Sequence, residues 1–98
     1  MTTGFPMANT VRDNPAQHRF EMDLGDSIAV ANYTELPGAL AINHTEVPSE
    51  HGGQGVGSEL VRQVLEILRS RGLKVVPRCP FITYYLKKHP EYNDLLAS

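Results

Sequence analysis

Four glycines stand within six positions directly before the strongest helical pattern of the chain. Gly52, Gly53, Gly55 and Gly57 leave out four side chains where the helix begins, so the backbone N–H groups of its first turn are exposed beside the positive end of the helix dipole. Such an arrangement binds phosphate groups. The alternative is a flexible connection with nothing bound, because glycine is common in turns.

The residues of this glycine loop exclude two well-known classes of phosphate-binding loop. A Walker loop requires a lysine directly after the last glycine, where this sequence has Ser58. A dinucleotide fingerprint that starts at Gly53 or Gly55 would require a further glycine at Ser58 or Leu60. The pattern that survives is Gln-Gly-Val-Gly at 54–57, at the entrance to an amphipathic helix.

Cys79 and His44 are the candidate nucleophile and base. Cys79 is the single cysteine of the chain and directly precedes Pro80, where a helix is predicted to start, so the helix dipole and the adjacent Arg78 favour the thiolate. The alternative is a buried structural thiol. His44 lies near the end of the strand that leads into the glycine loop, where its imidazole could take a proton from an amine or from Cys79. Alternatively, this histidine caps the sheet edge or is hydrogen-bonded to a carbonyl.

Three other polar or aromatic residues are weaker candidates. Tyr84 could line a ligand channel or simply pack, and Lys87 could meet a phosphate or belong to a solvated helix face. His51, within the loop, is expected at the surface. The four histidines and one cysteine lack the spacing of metal ligands, so no metal site is predicted.

The first half of the chain predicts an antiparallel meander of three strands. Apolar residues alternate with polar ones from His18 to Leu24, a run rich in β-formers follows over 27–36, and a third strand is expected over 39–47. Turn residues separate the three. Simple alternation places His44 on one face of the third strand with Leu40 and Ile42, and Thr45 on the opposite face.

The second half predicts a crossover and a second helix. Apolar residues at helical spacing indicate a helix over about 56–71, and the apolar run 73–77 indicates a strand parallel to the one before the loop. Another helix should start at Pro80 and end near His89, before a last loose turn. The expected fold class is therefore α+β, with 1–15 as a flexible arm and 16–98 as a single domain.

Composition limits the classes of function. The chain has 98 residues, of which 41% are hydrophobic and 20% charged, which fits one globular domain. A single cysteine excludes a disulfide framework and fits a reducing, cytoplasmic compartment. The net charge of -2 argues against a nucleic-acid partner. No apolar stretch approaches the ~20 residues that cross a bilayer, so no membrane role is predicted.

The glycine loop resembles the signature of the GNAT acyltransferase superfamily. That signature is Gln or Arg, two variable residues, Gly, one variable residue, then Gly or Ala, and alignment on Gly55 and Gly57 puts Gly52 at its first position, where Arg or Gln is usual. Over about residues 17–92 the chain is similar to the short YjdJ-like branch of these proteins. The similarity is carried by the loop together with three further segments, His-Thr-Glu-Val-Pro at 44–48, Cys-Pro-Phe at 79–81 and His-Pro-Glu-Tyr at 89–92.

The resemblance implies a compact, truncated GNAT fold and transfer of acetyl from acetyl-coenzyme A to an amine. It implies that the backbone of the glycine loop holds the pyrophosphate and that the splayed end of the preceding strand pairs with pantetheine. The implied cofactor-binding residues are Thr45, Glu46, Val47, Gly52, Gly53, Gln54, Gly55, Val56, Gly57, Tyr84 and Lys87.

The resemblance also implies that His44 and Cys79 form the reactive pair. Cys79 could then carry the acyl group, protonate the departing thiolate, or be structural. The acceptor would be a small-molecule or protein amine, and the protein a monomer or weak homodimer. The alternative is a module without catalysis that binds coenzyme A or a protein partner on the same fold.

Overall fold

A computed structural model describes residues 10–52 and 55–97 of the chain. Its strands form one five-stranded sheet in which the spatial order is the order along the chain. The elements are β1 (Val11–Asn14), β2 (Arg19–Asp23), β3 (Ile28–Leu36), β4 (Ala39–Glu46), α1 (Val56–Arg71), β5 (Lys74–Pro77) and α2 (Pro80–Lys88), with short 3-10 helices at Pro15–Gln17, Ser49–His51 and Pro90–Leu95.

The predicted α+β class, the meander and the crossover are confirmed. Strands β1 to β4 pair antiparallel, and β5 pairs parallel with β4 from Ala39 and Lys74 to Ile42 and Pro77. The connection between this parallel pair runs through α1, as such a connection requires. Gly72 ends α1 in the left-handed conformation, with φ of 71°, as its place after the last helical turn predicts.

The sheet has one strand more than the sequence predicted. Residues 11–14 belong to the segment expected as a flexible arm, yet they form β1 and pair with β2. Only Val11 of this strand is apolar, so periodicity could not reveal it. Its backbone N–H donates to Gln63 Oε1 on α1 at 2.9 Å, which ties β1 to the helix layer. Residues 1–9 lie outside the described part.

Both helices pack on one face of the sheet. The core joins Phe20, Met22 and Ile42 from the strands to the apolar stripe of α1 and to the buried face of α2. The helical residues of this core are Leu60, Val61, Val64, Leu65, Leu68, Ile82, Tyr85 and Leu86. In the described part of the chain, neither helix is long and apolar enough to cross a membrane.

The opposite face of the sheet, which we call the helix-free face because no helix of residues 10–52 and 55–97 covers it, is polar and carries a buried carboxylate. Glu21 is 5% exposed and accepts hydrogen bonds from Asn14 at 3.0 Å and Arg19 at 2.7 Å, while Arg12 lies 2.9 Å away. The hydrogen bonds from Asn14 and Arg19 outweigh the effect of burial and lower the pKa of Glu21. This charge cluster therefore pairs the carboxylate of Glu21 on the helix-free face.

We expect Glu21→Gln to destabilise the protein by about 1 to 3 kcal/mol at neutral pH, because the amide removes charge-assisted hydrogen bonds. A carboxylate whose folded pKa is depressed contributes stability above its unfolded pKa and loses it as pH falls through the folded value. The difference between wild type and variant should therefore shrink below about pH 4. Urea unfolding at several pH values measures it, with the exposed Glu46→Gln as control. A difference that is constant with pH would contradict this account.

Candidate functional site

A β-bulge near the end of β4 decides which side chains reach the candidate site. His44 pairs with Asn32 and Ile42 pairs with Tyr33, so Asn43 is an extra residue opposite β3. The side chain of Asn43 donates to the Thr34 hydroxyl at 2.9 Å. Such an insertion disrupts the simple alternation of faces along the strand.

The bulge separates His44 from Cys79. Thr45 instead reaches Cys79, with 3.5 Å between Thr45 Oγ1 and Cys79 Sγ. His44 is on the helix-free face, 61% exposed, with its Nε2 3.7 Å from Glu46 Oε1. The prediction that His44 shares a face with Leu40 and Ile42 is therefore wrong. It assumed strict alternation along β4, but the extra residue Asn43 shifts every later side chain to the other face.

The parallel pair β4–β5 opens beyond the bulge. The ladder ends where the Arg78 N–H donates to the Ile42 carbonyl at 3.0 Å, and the chain then enters α2 at Pro80. Strand β4 continues to Glu46 without a β5 partner. A gap therefore opens between the end of β4 and the start of α2, and Thr45 and Cys79 lie in it.

Cys79 is buried at this gap, with 5% exposure. Burial raises the pKa of its thiol, but the Thr45 hydroxyl and the backbone N–H groups of Ile82, Phe81 and Thr45 more than offset this, so the pKa is below its ordinary value. Two of these N–H groups belong to the first turn of α2, as the predicted dipole effect requires. Hydrogen bonds around Cys79 therefore favour the thiolate more than its burial disfavours it.

A cavity of about 300 Å³ opens at the start of α1. It lies between Val47, which follows β4, and Phe81 in the first turn of α2. The other described residues that line it are His51, Gly52, Gly55, Val56, Gly57 and Ser58. The predicted loop residues Gly53 and Gln54 lie outside the described part of the chain.

Gly55 caps α1 without a side chain. Its φ of 77° is in the left-handed region, which glycine adopts without strain, and it offers no oxygen to the N–H groups of the first helical turn. The nearby carboxylate of Glu59 is engaged by Arg62 at 2.7 Å and by Gln63 at 2.8 Å. The positive end of α1 thus faces the cavity with its one first-turn carboxylate paired elsewhere.

Gly57 has a packing role that the phosphate interpretation did not include. A Cβ atom at this position would lie 3.0 Å from Phe81 Cζ and 3.3 Å from Phe81 Cε2. The ring of Phe81 therefore lies directly against the α1 backbone and joins the first turns of the two helices. Sequence reasoning missed Phe81 as a wall of the cavity, because the two residues are 24 positions apart and no local pattern links them.

His51 is less exposed than the sequence suggested. Its side chain is 21% exposed, and its Nε2 lies 3.0 Å from Asp26 Oδ1 in the turn between β2 and β3. The hydrogen bond from His51 is the main cause that lowers the pKa of Asp26. The sequence marked Asp26 only as a turn residue, and no local pattern connects it with the glycine loop.

Tyr84 and Lys87 lie away from the loop cavity. Tyr84 is 58% exposed, and Lys88 Nζ is 5.1 Å from the centre of its ring. Lys87 borders a separate, mainly apolar cavity of about 240 Å³ beside Pro77 and Leu96. No group of three metal-ligating side chains occurs among residues 10–52 and 55–97.

Comparisons with known proteins agree with this architecture. The model of the family GCN5-related N-acetyl-transferase matches residues 19–95. The NMR solution structure of a GCN5-like candidate N-acetyltransferase from Staphylococcus aureus is 29% identical and superposes with a TM-score of 0.70, covering 93% of this chain and 90% of that one. No curated protein gives a significant match.

The contact between Gly57 and Phe81 predicts a double-mutant result. Alanine is the better helix former by up to about 1 kcal/mol, but its Cβ would displace the ring, so we expect Gly57→Ala to give no gain in stability or a loss. With Phe81→Leu in place, the same change should become stabilising. Urea unfolding of the four proteins measures the coupling. An equal effect of Gly57→Ala in both backgrounds would show that the ring does not require glycine.

Proposed function

The chain belongs to the GCN5-related N-acetyltransferase family, and from this premise we propose that it binds acetyl-coenzyme A and transfers the acetyl group to an amine. The observation that carries the proposal is the cavity at the start of α1. It lies between the residue after β4 and the first turn of α2, next to the gap that holds Thr45 and Cys79.

The donor's diphosphate would bind at the glycine loop. The backbone N–H groups of Gly55, Val56 and Gly57 are at the positive end of α1, and the absence of a capping side chain at Gly55 leaves room for an anion. Gly52 lines the same cavity. Gly53 and Gln54 complete this proposed loop.

The pantetheine arm would lie along the unpaired end of β4. Backbone amide groups of Thr45, Glu46 and Val47 can pair with the amides of pantetheine, which would take the place of a longer β5 beside β4. Acetyl-coenzyme A supplies an acetyl group activated as a thioester. Tyr84 and Lys87 lie away from the loop cavity and are not part of the proposed site.

His44 is the proposed base, and it faces the helix-free side of the sheet. An amine is protonated at neutral pH and must lose that proton before it can attack a carbonyl. The imidazole Nε2 can take the proton, and Glu46, 3.7 Å away, stabilises the resulting positive charge. The acceptor, a small-molecule or protein amine, would then approach from the helix-free face while the donor lies on the helix side.

Cys79 has two possible roles in this proposal. Its thiol can give its proton to the departing coenzyme A thiolate as the new C–N bond forms and the C–S bond breaks. Alternatively, its thiolate attacks the acetyl carbonyl, releases coenzyme A thiolate and then passes the acetyl group to the amine, whose proton goes to His44. Both roles suit a thiol with a lowered pKa, and neither requires contact between Cys79 and His44.

Two glycines of α1 give a matched test of donor binding. Gly55 and Gly72 flank the same helix with φ of 77° and 71°, and a Cβ at either would meet nothing within 4 Å. We expect Gly55→Ala and Gly72→Ala to cost similar stability, about 1 to 2 kcal/mol from left-handed strain. Only Gly55→Ala should weaken coenzyme A binding, by several-fold in calorimetry. Equal affinities in the two variants would contradict a diphosphate site at the loop.

The contact between Thr45 and Cys79 predicts how the thiol titrates. Removal of the hydroxyl in Thr45→Val should raise the pKa of Cys79, whereas Thr45→Ser should retain the wild-type value. NMR titration of the Cys79 β-carbon measures this directly, because the chain has one cysteine. Turnover should fall in Cys79→Ala and in His44→Ala with coenzyme A affinity unchanged. Full turnover in both variants would remove these residues from the mechanism.

Gly52 stands at the signature position where Arg or Gln is usual, and this favours a second candidate, a module that binds coenzyme A without catalysis. Incubation with labelled acetyl-coenzyme A and a panel of amines and peptides separates the two functions. A labelled product supports transfer, and an acetylated Cys79 in mass spectra identifies the covalent route. Binding of coenzyme A without any product would favour the module.

A further inference from the structure

The start of the loop that contains His51 is anchored by a contact from the turn between β2 and β3. His51 ends the 3-10 helix Ser49–His51, and its Nε2 lies 3.0 Å from Asp26 Oδ1. Asp26 belongs to the turn between β2 and β3, 25 residues away in sequence. The hairpin turn and the entrance to the loop are therefore held together by one side-chain pair.

His51 is also part of the wall of the loop cavity. Among the described residues that line the cavity, it is the one ionisable side chain; the others are apolar, glycine or Ser58. A histidine can donate hydrogen bonds to an anion and carries a positive charge when it is protonated. The cavity wall thus offers one imidazole side chain next to the backbone N–H groups of α1.

We propose that His51, oriented by Asp26, is the side chain that contacts the diphosphate of the ligand bound at the start of α1. The proposal rests on the proposed function for the identity of that ligand. Asp26 is then a positioning residue, because its carboxylate accepts the hydrogen bond that fixes the imidazole and does not itself reach the cavity. The Ser27 hydroxyl, which donates to the same Asp26 oxygen at 3.3 Å, holds the carboxylate from the hairpin side.

The charge on Asp26 agrees with this role. Its pKa is lowered, first by the hydrogen bond from His51, so the carboxylate is ionised at neutral pH. Its side chain is 69% exposed, so the pair is screened by water and adds little to global stability. When the pair between Asp26 and His51 is broken, we therefore expect an unchanged fold and a weaker affinity for the ligand.

The test compares variants at the two residues, with coenzyme A, pantetheine and inorganic diphosphate as probes in calorimetry. His51→Ala and Asp26→Ala should each weaken coenzyme A and diphosphate binding several-fold and leave pantetheine, which has no diphosphate, unchanged. Asp26→Asn keeps an oxygen acceptor and should bind nearly as wild type. The double variant should be no weaker than His51→Ala, because Asp26 acts through His51.

Asp23 provides a matched control in the same turn. Its Oδ1 accepts the Gly25 N–H at 2.8 Å, so Asp23→Ala also removes a hydrogen bond from the hairpin but none from the loop. Coenzyme A affinity in Asp23→Ala should equal that of wild type. A loss equal to that of Asp26→Ala would show that the hairpin acts by general stability, and the proposal would be overturned.

The three probes also separate this inference from the proposed function. If wild type binds diphosphate but not coenzyme A, and His51→Ala loses diphosphate, the donor is misidentified while the role of His51 stands. If wild type binds coenzyme A and His51→Ala binds it equally well, the role of His51 is refuted and the proposed function stands. If wild type binds none of the probes, both fail.

Discussion

The organisation of the site depends on the point at which β4 and β5 part. Parallel strands stay together only while each supplies backbone donors and acceptors to the other. Here the last bond of the ladder joins Arg78 to Ile42, after which one chain turns into α2 while the other continues to Glu46. The gap exists because β5 ends at Pro77 and its chain starts a helix at Pro80, whereas β4 continues. The bulge at Asn43 lies at the same level and turns Thr45 towards Cys79.

The glycines of the loop serve different physical needs, although the sequence presents them as one motif. Gly55 adopts a positive φ and caps α1 without a side chain, whereas Gly57 has an ordinary helical place and lies against the ring of Phe81. Gly52 has a φ of -66°, which other residues adopt readily. The number of glycines in a loop therefore does not show how many of them bind a ligand. One of these glycines, Gly57, allows two helices to lie close together.

Local patterns were sufficient for most of the elements and insufficient for β1 and for the contacts between elements. The helix at 56–71, the parallel pair and Gly72 as the end of α1 follow from periodicity and from end signals that act within a few residues. Strand β1 could not be found in that way, because it has one buried apolar residue and depends on pairing with β2. The bulge at Asn43 is a property of two strands, so no periodicity within β4 could show that His44 and Thr45 exchange faces. The contact between Asp26 and His51 joins two turns that have no common pattern.

The exchange of faces changes what kind of mechanism the site can support. If His44 and Cys79 were on one face, a direct proton transfer between them would be the simplest chemistry. On opposite sides of β4, they fit the proposed reaction in another way, in which the thiol would contact the donor and the imidazole the acceptor. The strand then separates a buried helix side, where low exposure favours a stable thioester, from a solvated face on which a cationic amine can lose its proton. Glu21 and its two arginines form ion pairs on that solvated face, and no described helix covers it, so the small domain is compatible with access from both sides.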